Sequence, residues 1–100
     1  MGSLDKVYVF SNYRSLPGSE EALGSAMRRL AVKLRTESGC CFLHVYASVS
    51  DPAHFMVHSC WTDEDSLNAA TKLPYVVRFL DLIQPLINHQ LNAVFMSRLD

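Results

Sequence analysis

Hydrophobic and polar positions divide the chain into short segments of two periodicities. Residues 6–16 are rich in Val, Tyr and Phe, types that fit a pleated surface, and predict a strand. Pro17-Gly18 stops it. Ser19, Glu20 and Glu21 open a helix, since an acidic first turn suits the helix dipole and Ser19 or Gly18 can cap it. Leu23, Met27, Leu30 and Leu34 then recur at helical spacing, widened by Ala26 and Ala31, while Arg28, Arg29, Lys33 and Arg35 lie mostly off the stripe. Ser38-Gly39 is the expected end. Residues 41–49 and 54–61 predict two strands joined at Asp51-Pro52, hence a hairpin. Thr62 with Asp65 three residues on is a capping-box pattern that opens a short helix over 63–71. Pro74 suits the first position of a further helix, apolar over much of its surface from Val76 to Ile83, and Pro85 should end or kink it. Residues 91–99 predict a last strand.

The order β-α-β-β-α(α)-β is the split βαβ, ferredoxin-like plan: an α+β fold with a four-stranded antiparallel sheet and helices on one face. The second face then needs a cover. On the third strand Phe55, Val57, Ser59 and Trp61 share one side, and His54, Met56, His58 and Cys60 the other. On the second, Phe42, His44 and Tyr46 oppose Cys41, Leu43, Val45 and Ala47. Apolar groups on both faces, with helices for only one, predict a homodimer that covers the other.

One hundred residues support one domain, 1–100, with the first five outside the folded unit or tag-derived. An apolar fraction of 49% with 19% charged residues is a globular balance, and a net charge of −1 gives no basic excess for a nucleic-acid partner. No apolar run approaches the roughly 18 residues of a membrane span. The start lacks the charged and apolar blocks of a signal peptide, and Lys6 stands where myristoylation wants Ser or Thr. A cytoplasmic location with three reduced cysteines, Cys40, Cys41 and Cys60, is the expectation. His54 and His58 share a strand face but lie about 13 Å apart, too far for one ion, so no metal site is expected.

The segment Tyr13-Arg14-Ser15-Leu16-Pro17-Gly18-Ser19-Glu20-Glu21-Ala22-Leu23 resembles the strand-turn-helix opening of the antibiotic biosynthesis monooxygenase family. The resemblance continues through Gly39-Cys40, Tyr46, Asp51-Pro52 and Phe55. It then takes in Trp61-Thr62-Asp63-Glu64-Asp65-Ser66-Leu67 and Leu73-Pro74-Tyr75 with Phe79, and so spans nearly the whole chain. It implies a dimeric α+β barrel in which two sheets pack face to face. It also implies cofactor-independent oxidation by O₂ of a small aromatic, an anthrone or hydroquinol, to a quinone.

Carried over by residue, the resemblance places an oxyanion-binding amide at Asn12 and a ring-positioning indole at Trp61, both in a pocket between sheet and helices. Phe10, Leu30 and Phe79 are the expected walls. His44, which titrates near neutrality when unperturbed, is the candidate base, or else a dimer-face or surface group. Several family positions differ: Val57, Ser59, Ala47, Leu67 and Asp81 replace polar or charged groups, and Leu80 stands where the haem-degrading branch has a His ligand. Trp61 also reads as core, and Asn12 as a group that bonds the nearby turn. A non-catalytic dimer that binds a hydrophobic small molecule, or an isomerase or cyclase on the same fold, is the alternative.

Overall fold

A computed structural model describes residues 5–88 and 92–100. Its elements follow the expected order: β1 (Val7–Arg14), α1 (Glu20–Leu34), β2 (Cys40–Ala47), β3 (His54–Trp61), α2 (Glu64–Thr71), α3 (Pro74–Ile83) and β4 (Asn92–Met96). A 3₁₀ turn, Gln84–Leu86, follows α3 at Pro85, where the proline breaks the α-helical ladder. Among the described residues the strands form one antiparallel sheet in the order β2-β3-β1-β4. The fold is α+β and ferredoxin-like, as its pattern predicts.

Local chemistry explains the boundaries. Ser19 N donates to Leu16 O at 3.0 Å across Pro17-Gly18, and Gly18 takes φ +87°. This is a type II turn, with proline and glycine at the positions that demand them. The expected end of α1 at Ser38-Gly39 is four residues late. The helix closes at Leu34 because Thr36 and Glu37 donate backwards to Lys33 and Leu34 in tight turns. The cap of α2 is Asp63, not Thr62: Asp63 is extended and its Oδ1 accepts from Ser66 N at 2.7 Å. That bond holds the Asp63 carboxyl below the usual carboxylate range. Thr62 Oγ1 instead meets Ser66 Oγ at 3.2 Å.

The register fixes which side chains share a face. Val7 pairs with Trp61, Val9 with Ser59, Ser11 with Val57 and Tyr13 with Phe55. These odd-numbered residues face the helices. The bulge between Cys40 and Phe42 sets two β2 residues against one on β3 and takes Cys41 out of strict alternation. Cys41 is exposed, and burial, with the nearby Cys41 adding to it, pushes the Cys60 thiol up. The last strand is shorter than expected; of residues 91–99, position 91 lies outside the described residues and pairing stops at Met96.

Beneath the helices the core falls into two clusters. One gathers Val9, Ala31, Leu34, Leu43, Trp61, Leu67 and Ala70; the other gathers Tyr13, Leu23, Ala26, Met27, Phe55, Phe79 and Ile83. Leu30, Val45 and Val57 touch both.

Candidate functional site

A cavity of about 180 Å³ lies between sheet and helices, bordered by both core clusters. Its floor is the helix side of all four strands, including Val9, Ser11 and Tyr13 of β1, and Val57, Ser59 and Trp61 of β3. Its roof is Leu30, Ala31 and Leu34 of α1, Leu67 and Ala70 of α2, and Val76, Phe79 and Leu80 of α3. Ala93 and the 58% exposed Phe95 of edge strand β4 also line it and mark the side that faces solvent.

The polar groups are few. Trp61 is 2% exposed, and its Nε1–H donates to Ser59 Oγ at 3.1 Å. The two share a face because they stand two apart on one strand. Thr71 Oγ1 donates to Asn68 O at 2.7 Å. Tyr13 meets Phe79 edge-on, with ring centroids 6.4 Å apart at 77°. Burial pushes the Tyr13 phenol up to about 12, so it is neutral at physiological pH. Among the described residues, no carboxylate or imidazole is in the lining.

The six residues singled out in the sequence divide between two faces. Trp61, Leu30 and Phe79 line the cavity. Asn12, Phe10 and His44 do not: they lie on the opposite face of the sheet, which separates Asn12 and Phe10 from the expected pocket and leaves His44 on the face of its dimer-face or surface reading. Asn12 pairs in register with Met56, and Phe10 with His58, an even-numbered set that points away from Trp61. Asn12 Oδ1 is 2.9 Å from His54 Nε2. Phe10 stacks on His58 with centroids 4.3 Å apart, and His44 stacks on Phe42 at 5.4 Å. Burial, and then the nearby His44, push the His58 pKa down.

Three rows cross that open face: Tyr46-Met56-Asn12-Asn92, His44-His58-Phe10-Val94 and Phe42-Cys60-Tyr8-Met96. None contains Asp, Glu, Lys or Arg. Sequence reasoning passed over Ser11, Tyr13 and Ser59 as cavity groups. The period-two relation to Trp61 was the available signal for Ser59; for the β1 residues the signal was ambiguous, since both sides of β1 carry aromatics.

The model of the antibiotic biosynthesis monooxygenase family matches residues 5–82. The chain belongs to that family. Several solved structures share the fold of this family member. A Pseudomonas aeruginosa protein is 22% identical with a TM-score of 0.90, covering 96% of each chain. A structure described as an antibiotic biosynthesis monooxygenase is 21% identical with a TM-score of 0.88, over 94% of this chain and 99% of its own. A Bacteroides thetaiotaomicron protein of unknown function, described as a possible oxidoreductase, is 18% identical with a TM-score of 0.89, over 96% of this chain and 100% of its own. No curated protein matches the chain. Among the described residues no helix is long and apolar enough to cross a membrane, and no group of three or more His, Cys, Asp or Glu could hold a metal ion.

Proposed function

We propose that this family member is a cofactor-independent monooxygenase that oxidises a small hydroquinol-type arene to a quinone. The observation that carries the reading is the apolar cavity of about 180 Å³ with Trp61 in its wall. A dry cavity of roughly 150 Å³ is enough to bind benzene. The size therefore favours a one-ring hydroquinol over a three-ring anthrone, which would have to project past Phe95.

The chemistry asks little of the protein beyond enclosure. Loss of a phenolic proton gives an anion that passes one electron to O₂. The ring radical and superoxide recombine to form a C–O bond. The O–O bond then breaks with loss of the ring C–H proton, so one oxygen stays as the new carbonyl and the other leaves as water. Trp61 positions the ring, with Leu30 and Phe79 as walls. No described lining residue is a carboxylate or imidazole, and in this reading solvent and the acidity of the substrate itself account for deprotonation.

The open sheet face fits a second copy of the chain: it is aromatic, aliphatic and His-bearing, without a formal charge in its three central rows. Asn12, Phe10 and His44 act, in this reading, at that subunit interface. Three free thiols suit a reducing compartment such as the cytoplasm.

Oxygen uptake decides the matter. The protein should consume O₂ with a hydroquinol without added flavin or metal, and Trp61→Ala should abolish the excess over the spontaneous rate. The almost wholly apolar character of the described lining favours a second reading, a binding protein for the same arenes. Tight binding without oxygen uptake across a hydroquinol panel would establish it instead.

A further inference from the structure

The cavity holds one polar group whose geometry is set by another. Ser59 is 5% exposed and sits mid-strand in β3, between Val9 of β1 and Leu43 of β2. Neither neighbour offers a side-chain acceptor. A serine hydroxyl has one proton and two lone pairs, and an indole N–H can only donate. The bond from Trp61 Nε1 therefore fills one lone pair of Ser59 Oγ and leaves the proton free. Among the described residues no acceptor for that proton is found. The contrast with Thr71 is direct: its hydroxyl, also in the lining, gives its proton to Asn68 O.

Ser59 Oγ already has Trp61 as a partner, and its remaining proton lies at the cavity wall, where a ligand oxygen can accept it. We propose that Ser59, aligned by the Trp61 indole, is the specificity-determining donor of the cavity and binds the ring oxygen of a phenol or hydroquinol. The inference rests on the reading of the cavity as the ligand site and adds which atom of the ligand is recognised. Trp61 is then a positioning residue as well as a wall: its N–H fixes the rotation of the hydroxyl. Among the described residues no lining side chain carries a formal charge at neutral pH, which suits a neutral or phenolic oxygen on an otherwise apolar ring as the acceptor.

The test compares phenol with toluene, which share shape and differ in the oxygen, by calorimetric titration. Wild type should bind both. Ser59→Ala should weaken phenol roughly three- to tenfold, the range of one neutral hydrogen bond, and leave toluene unchanged or slightly tighter. Trp61→Phe keeps the Ser59 hydroxyl but frees its rotation and trims one wall; it should weaken phenol more than toluene. The double variant should lose no more phenol discrimination than Ser59→Ala alone. The circular dichroism spectrum and Tm of each variant serve as the check that it keeps its fold.

Equal losses of phenol and toluene, or undiminished phenol binding by Ser59→Ala, would overturn the inference. Failure of both arenes to bind wild type would overturn it together with the ligand-site reading. A Ser59-dependent phenol preference without oxygen uptake would uphold it while ending the oxygenase reading.

Discussion

Filling the cavity should stabilise the protein and disable it in one substitution. Ala31 is 2% exposed on α1 and lines the cavity roof. Leucine nearly equals alanine in helix propensity, so Ala31→Leu leaves the helix intact. It adds three carbons, each contributing about 0.8 kcal/mol when buried, or about 2.4 kcal/mol. Ordering the new side chain costs about 0.5–1 kcal/mol. The net is about 1.5 kcal/mol of added stability, provided the space exists; in a packed core the same change would cost about 1–3 kcal/mol. For a domain this size, the gain corresponds to a rise in Tm of about 6–12 °C. Differential scanning calorimetry reads the shift, and titration with phenol reads the site. The variant should melt higher and bind at least tenfold more weakly. A lower Tm with undiminished binding would show that residue 31 faces packed atoms and that the cavity lies elsewhere.

Three further outcomes follow. A Cβ at Gly39 would collide with Ser66 Cβ and Oγ at the start of α2, so Gly39→Ala should destabilise by about 1–3 kcal/mol in urea melts; an unchanged midpoint would mean that α2 is free to shift. Burial raises the Tyr13 pKa from 10 to about 12, so the stability it contributes is complete below pH 10 and is lost as pH rises towards 12; that is about 3 kcal/mol, and Tyr13→Phe should flatten the alkaline fall in urea midpoint that wild type shows. Met56→Lys with His58→Lys should give monomers or aggregates by analytical ultracentrifugation, and a wild-type monomer at micromolar concentration would end the homodimer reading.

How far the chain could be read depended on whether a pattern was local. The bounds of β3 were legible to the residue because Asp51-Pro52 and the Thr62–Asp65 segment punctuate both ends. The type II turn at Pro17-Gly18 was legible because each residue there has one conformational use. The end of α1 was not, since Thr36 and Glu37 close it by backbone bonds that any sequence can make. Asn12 shows the deeper difficulty. Each side of β1 mixes aromatic and polar groups: Tyr8, Phe10 and Asn12 on one, Val9, Ser11 and Tyr13 on the other. Period two divides the strand into these sets but does not say which set meets the helices. Only the pairing of Val7 with Trp61 decides it, and that is a long-range fact. Asn12 was placed beside Trp61 by family resemblance, with Phe10 as a wall, and period two alone gave no means of testing which face they share.

The cavity itself raises an energetic question that its residues answer. At about 24 cal/mol per Å³, a sealed void of about 180 Å³ would cost roughly 4 kcal/mol relative to a filled core, an upper bound for a pocket open to solvent at Phe95. Domains of this kind have a total stability of about 5–15 kcal/mol. Even part of that bound is a sizeable fraction of the whole, and two of the lining side chains, Ala31 and Ala70, are small. A ligand that occupies the void restores part of the loss by mass action, about 2.7 kcal/mol at a hundredfold excess over its Kd. A binder should therefore raise Tm by an amount that grows with the logarithm of its concentration. Phenol should do so in wild type and far less in Ala31→Leu, where the space is already taken. Equal shifts in both proteins would place the phenol outside the cavity and remove the link between this void and function.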